Sequence, residues 1–302
     1  MNDQNSVAGF ELPAANADSK LHRILDCALE MRSTFSITSE STHFWDSKFF
    51  NLHQVKIFQS SNLQEQMTIL DIVNRDLLRE SYFIEQAGVG YMAKMVLLAE
   101  TTEERMLYGL FTADEATHLS QIMQLLPEPQ AIDSKDFFLN LIAELIETHD
   151  KTILVFVIQV VLEGWGLSHY RRLAKGCCDR AIHDLFTSFL QAESRHHSTG
   201  VTLFNQISMS TSSQKVITEI LSQFLQMIQL GPQGILSAIE QVKGHLSRSQ
   251  KIEILENIDT ETHSGTRLKL LRSLIESAGT SAIVEKLIAQ GKFEALPANQ
   301  CV

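Results

Sequence analysis

Two short strings in this chain carry the same pair of metal-capable side chains at the same spacing. One is 114-DEATHL-119 and the other 192-AESRHH-197, each with Glu-x-x-His: Glu115 with His118, and Glu193 with His196. On a helix, positions i and i+3 lie on one face about a turn apart, so a carboxylate and an imidazole there can both reach one cation. A single such pair is weak, because charged helices produce it by chance. Each of these, however, follows a lone glutamate thirty residues earlier: Glu85 before Glu115, and Glu163 before Glu193. Two antiparallel helices of about 20 residues joined by a short turn bring such positions to the same height. The half-motif therefore occurs twice. It supplies four carboxylates and two imidazoles, the set with which a helical bundle holds two metal ions in its core. Glu80 is a rival for the first position, but Glu85 repeats the spacing of the second half.

Glu163 ends one of the most apolar runs in the chain, Ile153 to Leu162, interrupted only by the neutral Gln159. An unpaired carboxylate in such surroundings would cost several kcal/mol or stay protonated. A divalent cation removes that cost. The Val and Ile content of the run could signal a strand, but the pattern continues through Glu163 to Tyr170 and beyond, which predicts a buried helix.

The elements that must position these residues read as helices throughout. Patterns run over 20–33, 64–98, 102–126, 134–148, 150–175 and 179–204, then over shorter stretches at 212–229, 232–246, 248–257, 263–277 and 280–290. Pro127, Pro129, Gly231-Pro232 and Gly279 punctuate them. Residues 1–20 read as a mobile terminus. The aromatic-rich segment 34–62 is irregular, and His43, Phe44, Trp45, Phe49 and Phe50 predict that it packs on something. The fold class expected is all-α, divided into an N-terminal extension with a helix (1–64), a four-helix di-metal bundle (65–207) and C-terminal helices packed on the bundle (208–302).

Bulk properties narrow the partners. The chain has 302 residues, 44% hydrophobic, and a net charge of −11. That is enough for a large core and argues against a nucleic-acid partner, which requires a basic face. No uninterrupted apolar run reaches the roughly 18 residues of a membrane span, and the N-terminus lacks the pattern of a secretory signal. The expectation is a cytoplasmic protein. Cys27, Cys177, Cys178 and Cys301 form no CxxC pair, which argues against a zinc ribbon or rubredoxin-type site. The adjacent Cys177 and Cys178 read as ordinary reduced thiols.

With its six positions in register, the sequence resembles the ferritin-like di-iron carboxylate superfamily over about 65–207. Tyr91 and Tyr170, about two turns after Glu85 and Glu163, add to the likeness. The resemblance implies a ferritin-like four-helix bundle with additional N- and C-terminal helices. It implies two iron ions (Fe/Fe, or Mn/Fe with the same ligands), with Glu115 and Glu193 bridging, Glu85 and Glu163 terminal, and His118 and His196 one to each ion. Within that superfamily, Ile122 stands where a radical tyrosine would be expected, and Phe189 where the arylamine oxygenases carry a seventh ligand. The absent cysteine site speaks against a rubrerythrin, and the long extensions against a minimal ferritin. What the resemblance then implies is an oxygenase or oxidase that uses dioxygen, a small apolar organic substrate and an external reductase. The alternatives are a ferroxidase or peroxidase, or a helical interaction protein with a vestigial site.

Several neighbours carry weaker readings. Gly88 and Gly90 follow Glu85, and Gly164 and Gly166 follow Glu163, either to leave substrate space or to let helices approach. Asp114 is a candidate to orient a ligand histidine. His197 points off the ligand face, His149 and His169 read as surface residues, and His183 pairs with Asp179 at a helix start. The amphipathic C-terminal stretches 216–230 and 267–279 each need their apolar face buried. They are expected to enclose a substrate channel or to build a homodimer interface.

Overall fold

Local chemistry sets the ends of the helices. The structure, a computed structural model, describes Phe10, Phe35 and residues 20–33, 43–126, 136–276 and 280–302. Among these residues there is no strand. The helices are α1 (Lys20–Glu30), α2 (Lys56–Gln59), α3 (Leu63–Leu98), α4 (Thr102–Met123), α5 (Phe137–Ile146), α6 (Lys151–Ile153), α7 (Glu163–Gly176) and α8 (Arg180–Phe204). After them come α9 (Thr211–Leu230), α10 (Gln233–Lys243), α11 (Arg248–Asn257), α12 (Thr260–Ile275) and α13 (Ser281–Ala289). Asn62 and Glu65 cap α3 reciprocally, each backbone N–H donating to the other's side chain. Thr101, Asp136, Asp179 and Ser210 accept from the first-turn amides of α4, α5, α8 and α9, which satisfies donors that a helix leaves open. Gly231 ends α9 at φ 74°, a conformation that favours glycine. The readings of residues 1–20, Pro127, Pro129 and Gly279 fall outside the described residues, Phe10 and Lys20 excepted.

The chain forms two compact units, one from residues 1–39 and 77–151, the other from 40–76 and 152–302. In the first, the second part of α3 meets α4 through Glu85 and His118, α5 through Lys94 and Ile146, and Phe10 through Gln86. Phe83, Tyr91, Met92, Met95, Tyr108 and Ile122 are almost wholly buried. Arg32, just beyond α1, ties that segment to α4, bonding Asp114 at 2.8 Å and Thr117 at 3.0 Å. The buried Lys94 donates to the carbonyl of Ile146 at 2.7 Å, placing a cation at the negative end of α5.

In the second unit the aromatic segment does pack, as its composition predicts. Trp45 is fully buried, and its indole N–H donates to the Leu173 carbonyl at 2.9 Å. Asn74 accepts from the amides of Phe44 and Trp45 and donates back to the Trp45 carbonyl. Leu52, Val55, Phe58 and Ile69 join Leu236, Ile239, Ile254 and Leu255 in one apolar cluster. The C-terminal helices are part of this unit. The Trp165 ring on α7 meets Phe224 on α9 at 5.4 Å, and α12 packs on α7 and on the segment before it.

That segment, Leu154–Leu162, is helical as expected, but it is a π-helix. The Glu163 amide reaches back five residues to the Ile158 carbonyl. Five β-branched residues, Val155, Val157, Ile158, Val160 and Val161, crowd an ordinary α-turn and lower its propensity. By length and composition Lys151–Gly176 also passes as a membrane span, against the expectation that nothing here would. Its most apolar window tolerates Glu163 and the glycines, whereas an unbroken run stops at Leu162. Half of that window is buried inside the protein.

Candidate metal centre

Each unit assembles one half of the predicted ligand set. In the first, Glu85 on α3 meets Glu115 and His118 on α4. The His118 Nδ1 atom lies 3.1 Å from Glu85 Oε2 and 4.0 Å from Glu115 Oε2. One ligand atom from each of the three lies within 4.8 Å of the others. All three side chains are buried, Glu85 to 1% exposure. Glu85, the position that repeats the spacing of the second half, reaches His118 at 3.1 Å.

In the second unit, Glu163 is the first residue of α7, and Glu193 and His196 stand on α8. Their ligand atoms also lie within 4.8 Å of one another, with His196 Nδ1 3.7 Å from Glu193 Oε2. His196 is wholly buried and Glu193 nearly so. The i, i+3 spacing places each Glu-x-x-His on one face, and thirty residues of helix and turn bring the lone glutamate to meet it.

The donor set fits a divalent cation. Each triad gathers two carboxylates and one imidazole, so with neutral histidine it carries a formal charge of −2 in a buried place. One ion of charge +2 cancels that. Donors about 2.0–2.3 Å from a shared ion stand no more than about 4.6 Å apart, close to the separations seen in both triads.

The glycines next to the lone glutamates serve close approach. A Cβ on Gly88 would stand 2.6 Å from Glu115 Oε2, and one on Gly164 would stand 2.8 Å from both His197 Cε1 and Leu274 Cδ2. The space beside these two residues is filled by side chains and is not open to substrate. Gly166 meets nothing within 4 Å. Phe189, where a seventh ligand would stand, is buried edge-on against Tyr170 and Phe186.

Other residues singled out in the sequence have defined contacts. Asp114 is held by the Arg32 ion pair, a contact between positions 82 apart in the chain that no local pattern shows. His197 does leave the ligand face, and there its Nδ1–H donates to the Gln159 carbonyl at 2.9 Å. His183 donates to the Ala174 carbonyl at 2.8 Å. Burial pushes the Cys177 thiol up to about 11, so it stays protonated and unreactive at neutral pH.

His169 is not the surface residue expected. It lies between Trp165 and Tyr170 and is only partly exposed. Burial, helped by Arg172 and Arg267, lowers its pKa to about 3. An unfolded chain protonates this histidine near its ordinary value of about 6.5, whereas the folded protein does so only near 3. Between those values the unfolded state binds more protons, so stability falls as pH drops below 6.5. Between pH 7 and pH 5, His169→Phe is expected to lose less stability in urea than the wild type, by up to about 2 kcal/mol. Equal losses in the two proteins would show that His169 stays solvated.

Comparison with protein-family models, with curated proteins and with solved structures finds no match for this chain.

Proposed function

We propose that the protein is a non-haem di-iron oxidoreductase that activates dioxygen to oxidise a small, apolar organic molecule. The observation that carries this reading is the duplication. Two separate units each bring a lone glutamate to a buried Glu-x-x-His pair, in the same chain order and at the same spacing. Surface ion pairs would not repeat both the register and the burial.

On this reading Glu85, Glu115 and His118 hold one ion and Glu163, Glu193 and His196 the other. When bound, ferrous ions supply the electrons that reduce dioxygen, chemistry that side chains cannot perform. The protein's share is to bring two carboxylates to each ion, cancelling its charge, and to present one neutral imidazole nitrogen. Buried apolar residues on the elements that carry the triads, Phe83, Met92, Phe156 and Phe189 among them, exclude water and favour an apolar substrate. Electrons for repeated turnover come from a separate reductase or from the substrate itself.

The test is anaerobic titration with ferrous iron, followed by oxygen exposure with candidate aromatic and acyl substrates, watched by optical spectroscopy and mass spectrometry. The expected result is two irons per chain, an oxygen-dependent absorption change and an oxidised product. Iron oxidation with mineral release and no organic product would make the protein a ferroxidase. Failure to bind iron would leave a helical interaction protein.

A further inference from the structure

The π-helical segment ends at Glu163, and one residue within it contacts the ligand helix through both its backbone and its side chain. Gln159 is wholly buried. Its side-chain amide donates to the backbone carbonyl of His196 at 3.3 Å, and its own carbonyl accepts from His197 Nδ1 at 2.9 Å. A carbonyl can only accept, so His197 carries its proton on Nδ1. Two glycines let the elements approach this closely. A Cβ on Gly200 would stand 2.3 Å from Gln159 Cβ and 3.2 Å from its carbonyl carbon, and one on Gly164 would strike the His197 ring.

The backbone register gives this contact a consequence. In an α-helix the Glu163 amide would bond the carbonyl of Gln159, four residues back. Here it bonds Ile158 instead, and the Gln159 carbonyl accepts from His197. The histidine thus occupies the acceptor that an α-helical register would give to Glu163. The wider turn advances each residue by less than the roughly 100° of an α-helix. The direction in which the Glu163 carboxylate leaves the helix therefore depends on which register the segment keeps.

We infer that Gln159 and His197 are positioning residues, a brace that holds the π register and so aims Glu163 at the ion it shares with Glu193 and His196. The inference rests on the ligand assignment above and adds residues that touch no ion. Gln159 fixes the backbone of ligand His196, while the side chain next to that ligand fixes the backbone leading to Glu163. The two ligand-bearing elements are thereby locked in one relative position from both sides. The triad of Glu85, Glu115 and His118 has no share in this brace.

The experiment compares ferrous iron binding by the full-length wild type, His197→Phe and His197→Asn. Asparagine can place an N–H close to where the Nδ1 donor sits, and phenylalanine cannot. The expected result is two irons per chain in the wild type and in His197→Asn. His197→Phe should keep one iron and bind the second about 10–100-fold more weakly, the cost typical of losing a group that orients a ligand. Amide hydrogen exchange of the metal-free proteins supplies a readout that needs no iron. Exchange over residues 158–164 should change in His197→Phe and stay as in wild type in His197→Asn. Gln159→Met, which keeps the volume and removes the amide, serves if His197→Phe does not fold, with the same selective loss expected. If His197→Phe, or Gln159→Met in its place, binds both irons like the wild type, the brace is refuted and the ligand assignment stands. Equal losses in His197→Phe and His197→Asn also refute it, because the donor would then be irrelevant. A wild type that takes up no iron overturns both readings.

Discussion

Glu163→Ala and His196→Ala are each expected to purify with about one iron per chain against two expected in the wild type, and Glu85→Ala and His118→Ala to do the same through the other triad. Within its own unit each triad offers three protein donors to a common ion, so losing one leaves two, a poor match for the water that competes for a divalent cation. Stability makes the assignment sharper. Without metal, a triad concentrates two carboxylates in a buried site, and removing one relieves repulsion and desolvation. Metal-free Glu163→Ala should therefore be at least as stable as the metal-free wild type. With iron the order reverses, since a ligand at 100 times its dissociation constant adds about 2.7 kcal/mol per site. The Tm gained on adding ferrous iron should shrink in each variant by about the contribution of one site. Full occupancy in both Glu163→Ala and His196→Ala would show that these residues are not ligands.

A chain ending at Ser208 is expected to be insoluble or molten and to lose the iron held by Glu163, Glu193 and His196. Leu274 of α12 fills the space over Gly164, the residue next to Glu163, and Phe224 of α9 covers Trp165. Ile217, Leu221, Leu225, Leu268, Leu271 and Ile275 are all buried, and each contributes about 1.5–3 kcal/mol when removed from water. Deleting them also uncovers the apolar stretch of Lys151–Gly176, half of whose most apolar window is buried. A loss of this size exceeds the net stability of most domains. A fragment that stays monomeric, keeps a cooperative thermal transition and binds two irons would reduce the C-terminal helices to an accessory. If the fragment is soluble and keeps one iron, the loss belongs to the second triad alone, and the helices are its wall.

What could be read from the linear chain is what depends on near neighbours. Helix starts near 102, 179 and 212 were legible to within a residue or two, and the caps Thr101, Asp179 and Ser210 that fix them bond amides only three residues away. The Glu-x-x-His pairs were legible because one helical turn decides whether two side chains share a face. The approach of Glu85 to His118 was available from the repeat of one spacing. The buried aromatics around Trp45 announced themselves by composition, although not what they would meet.

Contacts between distant segments stayed hidden. Nothing near Asp114 points to Arg32, and nothing in the apolar run marks the acceptor of the Glu163 amide. A π register differs from an α register by a single hydrogen-bond step, and the local sequence distinguishes them only weakly. The segment's β-branched residues loosen the α-turn. His197, whose sequence position marked it only as a neighbour of a ligand, lies where it can bond the Gln159 carbonyl, and Gly200 leaves the room for that approach. His169 looked like a surface residue because two tryptophan- and tyrosine-bearing turns can be exposed or buried, and only the packing of α9 and α12 on α7 decides which. The sequence by itself determined the helices and the ligand-bearing faces, because both depend on interactions within a turn or two. Tertiary structure decided the register at Glu163, the use of the glycines and the burial of His169, because those depend on which distant atoms occupy the same few ångströms.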